Sequence, residues 1–515
     1  MGQSLASIPE DEETNRLKII TKKILDSGLQ VEAECANLLA EIAMRSNSDQ
    51  LVSSLLATAK EAATPFISRK MIEKIYEPAQ KVEQTNDIVT GKETSIWPAK
   101  DHEATIEILK TTSAQMGPHE SMDRFLRHFE DRFQKLQKIL RQRIDARDAQ
   151  TVSRALETRP SSRVKLIAMV SEKKDLGSKI FFRVEDMEAV ATVIVRPGKP
   201  GLLERARDIL VDEVICVSGV KGQNEAIFAE DVLLPEIPNR KPNHSSEELN
   251  LVLTSDYHFG SRIFERRLVD RFIKWLNGKS GSQSQIDSAR RVKYLVIGGD
   301  LVDGIGVYPQ QEEELEITDI FNQYAAAAKF LAQIPEHIEV VLIPGNHDAS
   351  RRALPQPPIP KKYAEPVFEA RKILSLGNPA QIRVHGVNLL LHHGRSLEDL
   401  LVSLPGATHT NPCKAMSHIL RARHLSPIYG LKTPLAGEPK DSMIIESVPD
   451  IYHTGHIHVL DFANYRGTLM VNSGSWQRQT IYQKKMGLNP TCGLIPVVNL
   501  KNFQVEPIDF TELAS

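Results

Sequence analysis

Between Leu249 and Trp476 the chain repeats one unit, a short apolar run followed at once by a polar cluster. The runs Leu249 to Leu253, Tyr294 to Ile297, Val340 to Ile343 and Val387 to Leu391 have the length of strands. Strands that are apolar at every position are those covered on both faces. Helical patterns at Glu265 to Leu276, Glu314 to Ala332 and Ala364 to Leu374 alternate with them. That rhythm predicts a layered α/β domain over residues 247–515.

Upstream the pattern changes character three times. From Asp11 to Ile75 apolar residues recur at helical spacing, as in Leu17, Ile20 and Ile24 and again in Leu38, Leu39 and Ile42, with Ser46-Asn47-Ser48-Asp49 as a break and cap. A helical N-terminal domain over 1–76 is expected, with docking of a partner preferred over a mere aid to folding. From 77 to 120 periodicity fails among Pro78, Gly91, Pro98, Gly117 and Pro118, which reads as a linker. Residues 121–158 connect onward through an amphipathic helix whose stripe of Phe125, Phe129, Phe133, Leu136 and Leu140 is packing, while Arg127, Arg132, Lys135, Lys138 and Arg141 form a solvated basic face.

Over 159–238 three strands, a helix and two strands follow, the order of an OB-fold barrel. Its aromatics are Phe181, Phe182 and Phe228, the first two adjacent, so one must face inward. That favours a protein-contact role over a platform for stacked bases. Asn239 to Ser246 is then the linker into the α/β domain, and Lys279 to Ser288, rich in Ser, Gly and Gln, a flexible surface loop.

The chemistry lies in the polar clusters. Thr254-Ser255-Asp256-Tyr257-His258, Gly298-Gly299-Asp300-Leu301-Val302-Asp303, Gly345-Asn346-His347-Asp348, His392-His393-Gly394-Arg395 and His453-Thr454-Gly455-His456-Ile457-His458 each sit where a strand should end. Loops after the carboxyl ends of strands are where an α/β scaffold presents function. Asp, Asn and neutral His without thiolate suit manganese, magnesium, iron or zinc in an open hydrolytic site. Asp256, His258, Asp300, Asn346, His393, His456 and His458 are too many donors for one ion. With Asp300 bridging, each of two ions receives four ligands, an arrangement suited to phosphoester hydrolysis. Taken singly the clusters are ordinary: Gly-Asp is a common turn, and His453, His456 and His458 could be core or solvated histidines. Their order along the chain carries the reading.

Composition adds exclusions. The net charge of −2 gives no global attraction to nucleic acid, so any such contact is local. Cys35, Cys216, Cys413 and Cys492 form no Cys-x-x-Cys, which fits a reducing cytoplasm and excludes a cysteine zinc site of the usual spacing. No apolar run approaches transmembrane length and the acidic start lacks a signal peptide's features, so a cytoplasmic protein with no membrane association is expected.

The ordered series of five clusters resembles the calcineurin-like metallophosphoesterase superfamily. The surrounding text is more particular: Gly299 through Asp303 to Pro309, then Ala353-Leu354-Pro355-Gln356-Pro357 after Gly345-Asn346-His347-Asp348, then Asn472-Ser473-Gly474-Ser475-Trp476-Gln477. These stretches are similar to the small subunits of archaeal D-family DNA polymerases, which carry a 3′-to-5′ exonuclease. The resemblance implies an αββα sandwich with an OB-fold barrel and an N-terminal helical domain. It implies two divalent ions, manganese ahead of magnesium, one held by Asp256, His258, Asp300 and His458, the other by Asp300, Asn346, His393 and His456. His347 would be the group that protonates the departing 3′ oxygen or stabilises the charged phosphorane. Where the family usually has an aromatic residue before its His-Gly this chain has His392, and strand alternation favours the adjacent His393 as the ligand. Asp303, His392 and His453 are expected around the ligands, and Arg351, Arg352 and Arg395 as contacts to a DNA backbone. The implied partners are the large catalytic subunit, in a heterodimer, and DNA 3′ ends, with a sliding clamp as a further candidate.

Three functions follow from these readings. The favoured one is a proofreading exonuclease on single-stranded or mismatched DNA ends. A stand-alone metallophosphatase would need neither the barrel nor the helical region. An inactive scaffold would have lost its metal ligands, and all seven are present. No Gly-x-x-x-x-Gly-Lys-Ser/Thr loop occurs, so synthesis itself is assigned to the partner.

Overall fold

The computed structural model describes residues 97–112 and 121–513, together with a two-residue parallel pairing of Gln30–Val31 with Phe66–Ile67. The helical domain expected over 1–76 otherwise lies outside the described residues. Two six-stranded sheets dominate. The first contains β7 (Asn250–Thr254), β8 (Val292–Ile297), β9 (Glu339–Leu342), β10 (Ile373–Ser375), β16 (Leu494–Asn499) and β17 (Val505–Asp509), in the order β10-β9-β8-β7-β16-β17. The second contains β1 (Ile106–Thr111), β11 (Ala380–Val384), β12 (Val387–Leu391), β13 (Ile451–Thr454), β14 (Asp461–Tyr465) and β15 (Thr468–Asn472), in the order β14-β15-β13-β12-β11-β1.

Alternation along the strands sorts their side chains into layers. Leu251 and Leu253 of β7, Tyr294 and Val296 of β8 and Val341 of β9 share a core with Leu389 and Leu391 of β12, Ile451 of β13 and Val471 of β15. This is the seam between the sheets. Val252, Leu295, Ile297, Val340 and Leu342 point the other way, into a core with α4 (Arg266–Leu276) and α6 (Ile320–Leu331). Leu390, Tyr452 and Met470 do the same toward α8 (Leu397–Ser403) and α9 (Pro412–Ala422). The result is helix, sheet, sheet, helix, the arrangement that buries every face of strands apolar on both sides. Parallel registers Ile297 with Thr254, Ile297 with Leu342 and Leu391 with His453 bring the strand ends level. The polar clusters therefore leave the sheets along one edge.

Residues 163–233 form a closed five-stranded barrel in the order β2-β3-β4-β6-β5. These strands are β2 (Arg163–Asp175), β3 (Ile180–Glu185), β4 (Val190–Val195), β5 (Val214–Lys221) and β6 (Ala226–Leu233), with α3 (Leu202–Asp208) inserted after β4. Phe182 is buried in its core, whereas Arg196 stacks over Phe228 with its guanidinium 4.0 Å from the ring. Ahead of the barrel, α1 (Met122–Arg141) lays Phe133, Leu136 and Leu140 against barrel residues Ile167 and Val214, and α2 (Val152–Glu157) follows. Arg132, expected on a solvated face, is instead buried and donates from Nε to Asp441 at 2.8 Å.

Four further expectations change. The stretch 77–120 is not simply a linker, because Ile106–Thr111 is the edge strand β1, antiparallel to β11. Its outward residues pair as Glu107 with Arg383 at 2.7 Å and Lys110 with Glu446 at 3.6 Å, a polar edge that reads as loop in sequence. Within 279–288, Ser282 and Gln285 form a capping box that starts α5 (Gln283–Arg290), a signature hidden by the Ser/Gln bias. The helix expected from Glu314 starts at Ile320, capped by Asp319, because Glu316 and Ile317 donate their backbone N–H to Gly260. That expected at Ala364 to Leu374 is α7 (Lys361–Ala370), after which Ile373 joins the sheet edge. Arg240 and Asn243 in the 239–246 linker are both bound to Asp450. Among the described residues no helix is long and apolar enough to cross a membrane.

Candidate metal centre

The residues that leave the strand ends are turned inward by an unusual backbone. Asp256, His258, Asp300, His456 and His458 all adopt left-handed φ values between 51° and 68°. Such a conformation costs a non-glycine residue about 1–3 kcal/mol and persists only where its surroundings enforce it. Neighbouring glycines supply the space. A Cβ on Gly345 would stand 2.1 Å from Oδ1 of Asp300, and one on Gly455 would stand 2.5 Å from Oδ2 of Asp256.

All seven donors read from the sequence meet here. Nε2 of His458 lies 3.4 Å from Oδ1 of Asp256 and 3.3 Å from Nε2 of His258. Nε2 of His258 is 3.9 Å from both Asp256 and Asp300. On the other side, Nε2 of His393 is 3.3 Å from Oδ2 of Asp300 and 3.1 Å from Oδ1 of Asn346, and His456 closes a group with Asp300 and His393. Asp300 thus stands between two sets of donors.

The donor chemistry fits divalent cations. His393 donates its Nδ1–H to the Gly298 carbonyl at 2.9 Å, and His258 its Nδ1–H to Asp303 at 2.9 Å, so both rings turn Nε2 inward. Oδ1 of Asp256 is fully buried yet has no hydrogen-bond partner, a costly condition for a carboxylate that a cation would relieve. Among the described residues no lysine or arginine pairs with Asp256, Asp300 or Asp303; the pairs are all to histidine. Burial opposes charge on His393, but the Asp300 carboxylate outweighs it and raises the imidazole to about 9. Burial likewise opposes ionisation of Asp256, and His458 overcomes it, holding the carboxyl well below the usual range. Both carboxylates are ready to receive a cation.

His347 stands just outside this set. Its backbone N–H donates to Oδ1 of Asp300 at 2.8 Å and its Nδ1–H to the carbonyl of Asp303 at 2.7 Å, which leaves Nε2 as the position that gains or loses a proton. Asp303 touches His258 and is held by Gln311 and Gln477. His453 reaches Ser473 through Nε2 at 3.1 Å, and burial lowers it to about 3. His392 faces away, toward the Tyr452 hydroxyl at 3.3 Å, also lowered by burial to about 3. Of the three arginines, Arg351 is engaged by Glu438 at 2.9 Å, whereas Arg352 and Arg395 stand together at the rim, Arg395 donating to the Arg352 carbonyl at 3.3 Å.

Sequence reasoning passed over three residues here. Glu398 on α8 lies 3.3 Å from Nε2 of His456, which outweighs burial and lowers the carboxyl to about 2. Asp348 accepts from the backbone of Gly345 at 2.9 Å and of Leu301 at 3.3 Å, fastening the third loop to the second; burial and Asp300 push it up to about 6. Gln483 places its side-chain amide 3.2 Å from Nδ1 of His458. Only Asp348 had a visible signal, as the last letter of its motif.

The family of B subunits of DNA polymerases alpha and epsilon matches residues 251–463. The chain is 35% identical to the DNA polymerase II small subunit of Archaeoglobus fulgidus over 93% of its own length and 95% of that protein's. It is 40% identical to the protein of the same description from Methanothermobacter thermautotrophicus, over 65% of this chain and 69% of the other. Identity to the one from Pyrococcus furiosus is 38%, and there the match spans 63% of the longer relative. Among solved structures, asparaginyl-tRNA synthetase from Pyrococcus horikoshii overlaps 14% of this chain and 19% of its own at 18% identity and a TM-score of 0.14, too little to carry an argument. Matched along nearly its entire length by the Archaeoglobus protein, the chain belongs to the family of archaeal DNA polymerase II small subunits.

Proposed function

We propose that this chain is a metal-dependent 3′-to-5′ exonuclease with a calcineurin-like fold, the proofreading small subunit of a heterodimeric replicative DNA polymerase. The observation that carries the reading is the meeting of seven oxygen and nitrogen donors around Asp300, with the buried Oδ1 of Asp256 left without a hydrogen bond. Asp256, His258, Asp300 and His458 would hold one ion; Asp300, Asn346, His393 and His456 would hold the other. Two divalent cations, manganese or magnesium, would supply Lewis-acid activation of a phosphodiester and of water. The residues do the rest. Asp303 and the Gly298 carbonyl fix the rings of His258 and His393, and the Asp303 carbonyl orients His347 so that Nε2 can pass a proton to the departing 3′ oxygen. Arg352 and Arg395 at the rim suit a phosphate backbone. The name small subunit, borne by the relatives, supports a larger catalytic partner that carries synthesis.

The test is to supply the purified chain with manganese and a primer bearing a 3′ mismatch. Stepwise release of nucleotides supports the reading. Phosphate released only from monoesters, or no turnover with metal bound, would overturn it.

A further inference from the structure

Beside the donor cluster stands a short helix that the function above does not use. α10 (Ile481–Lys485) begins at a capping box in which Thr480 and Gln483 bind each other's backbone. The same Gln483 side chain reaches Nδ1 of His458 at 3.2 Å, so the helix is fixed one side chain away from a ligand. The segment after it is also tied to the site, since Leu488 donates to the Gln483 carbonyl at 2.8 Å and Thr491 to that of His458 at 2.8 Å.

With Gln483 turned inward, the rest of the helix faces solvent. Ile481 is 61% exposed, Tyr482 55% and Met486 55%, a concentration of apolar surface that a firmly anchored turn has no structural need to display. Tyr482 and Met486, four residues apart, share one face. Lys484 and Lys485 flank them, both exposed, and no hydrogen bond or ion pair engages either ammonium or the Tyr482 ring among the described residues. A flat apolar ring beside two unpaired cations matches an unstacked base and its phosphates. A duplex interior offers no free base face, whereas the unpaired end of a strand does.

We infer that α10 is the docking surface for the unpaired 3′-terminal segment of a DNA strand, with Tyr482 stacking on a base next to the scissile phosphate and Lys484 and Lys485 meeting the backbone. This rests on the proposed exonuclease reading and names where its substrate lies. The competing occupant, the surface of the larger polymerase subunit, is one outcome of the test.

The experiment uses the full chain assembled with its large partner. First, an oligonucleotide with 5-iodouracil at an unpaired 3′ end is photocrosslinked in EDTA, so that the readout does not depend on hydrolysis, and the adduct is mapped by mass spectrometry. Attachment at Tyr482 or Met486 is expected; attachment only elsewhere overturns the inference. Second, turnover of the same end is compared with that of bis(p-nitrophenyl) phosphate, which is too small to reach α10. Tyr482→Ala should raise KM for DNA and lower the DNA-to-diester ratio roughly tenfold, Tyr482→Phe should restore it, and Lys484→Ala with Lys485→Ala should weaken DNA turnover at low salt and flatten its decline as salt rises. An unchanged ratio overturns the inference, and so does weakened subunit assembly with DNA turnover intact. Wild-type protein that crosslinks at Tyr482 yet hydrolyses neither substrate leaves the docking surface standing and removes the nuclease reading.

Discussion

Two buried clusters of aspartate and histidine lie in this fold, and their difference separates a structural network from a candidate metal centre. At Asp441 the carboxylate is met by Arg132 Nε at 2.8 Å, His424 Nε2 at 2.8 Å and His128 Nε2 at 3.3 Å, while Oδ1 accepts from the backbone of Met443 at 2.9 Å. One negative charge is answered by a permanent cation on α1, and the cluster clips that helix to the sandwich. At the strand ends, Asp256, Asp300 and Asp303 have only imidazoles as ion-pair partners, one carboxylate oxygen has no hydrogen bond, and five backbones are strained. The first cluster balances its own charge, although Nη2 of Arg132 and Nε2 of His128 are left without a hydrogen bond. The second has no arginine or lysine among its partners, and burial makes the want of a permanent cation expensive.

The largest test of this contrast is Asp300→Ala. Nucleotide release from a mismatched 3′ end should fall by roughly three orders of magnitude or more, with loss of bound manganese by elemental analysis. His347→Ala should reduce single-turnover release by about 10²–10⁴-fold with metal content unchanged, since on the proposed reading the ring would supply a proton and no ligand. Asp441→Ala should act on stability: Arg132 would be left buried and unpaired, at a cost of about 3–5 kcal/mol in urea unfolding. If the mutations at the two aspartates gave the same phenotype, the distinction would collapse. Manganese at about 100 times its Kd should stabilise the wild type by about 2.7 kcal/mol and Asp300→Ala far less.

Acidity sharpens the comparison further. His393, raised to about 9, contributes stability that is fully present below the unfolded value near 6.5 and is lost as pH rises through 9. His424, lowered to about 4 by burial and then by Arg132, contributes stability present above 6.5 and lost as pH falls through 4. In EDTA, urea midpoints should therefore decline on both sides of neutrality, each group contributing at most about 1.4 kcal/mol per pH unit. Asn in place of His424 should flatten only the acid limb.

The donors were legible in sequence because each sits directly after an apolar run, and a strand end fixes direction as well as place. The barrel was legible from the order of its strands. What escaped was held by long-range partners. Nothing near Glu398 says that α8 will carry it to His456, and nothing in Arg132 distinguishes it from its exposed neighbours until Asp441 arrives from 309 residues away. The edge strand β1 was missed because only one of its flanks is paired, so its pattern is half polar.

That strand also has a consequence for how the protein is made. Its last residue, Thr111, receives a hydrogen bond from Gly377, 266 positions later, and everything from α1 through the barrel lies in between. During synthesis residues 106–111 emerge long before the strand they pair with, and the barrel can close while they wait. An unpartnered nascent β-segment is open to wrong pairing, and the charged outer row of Glu107 and Lys110 is a safeguard during that interval.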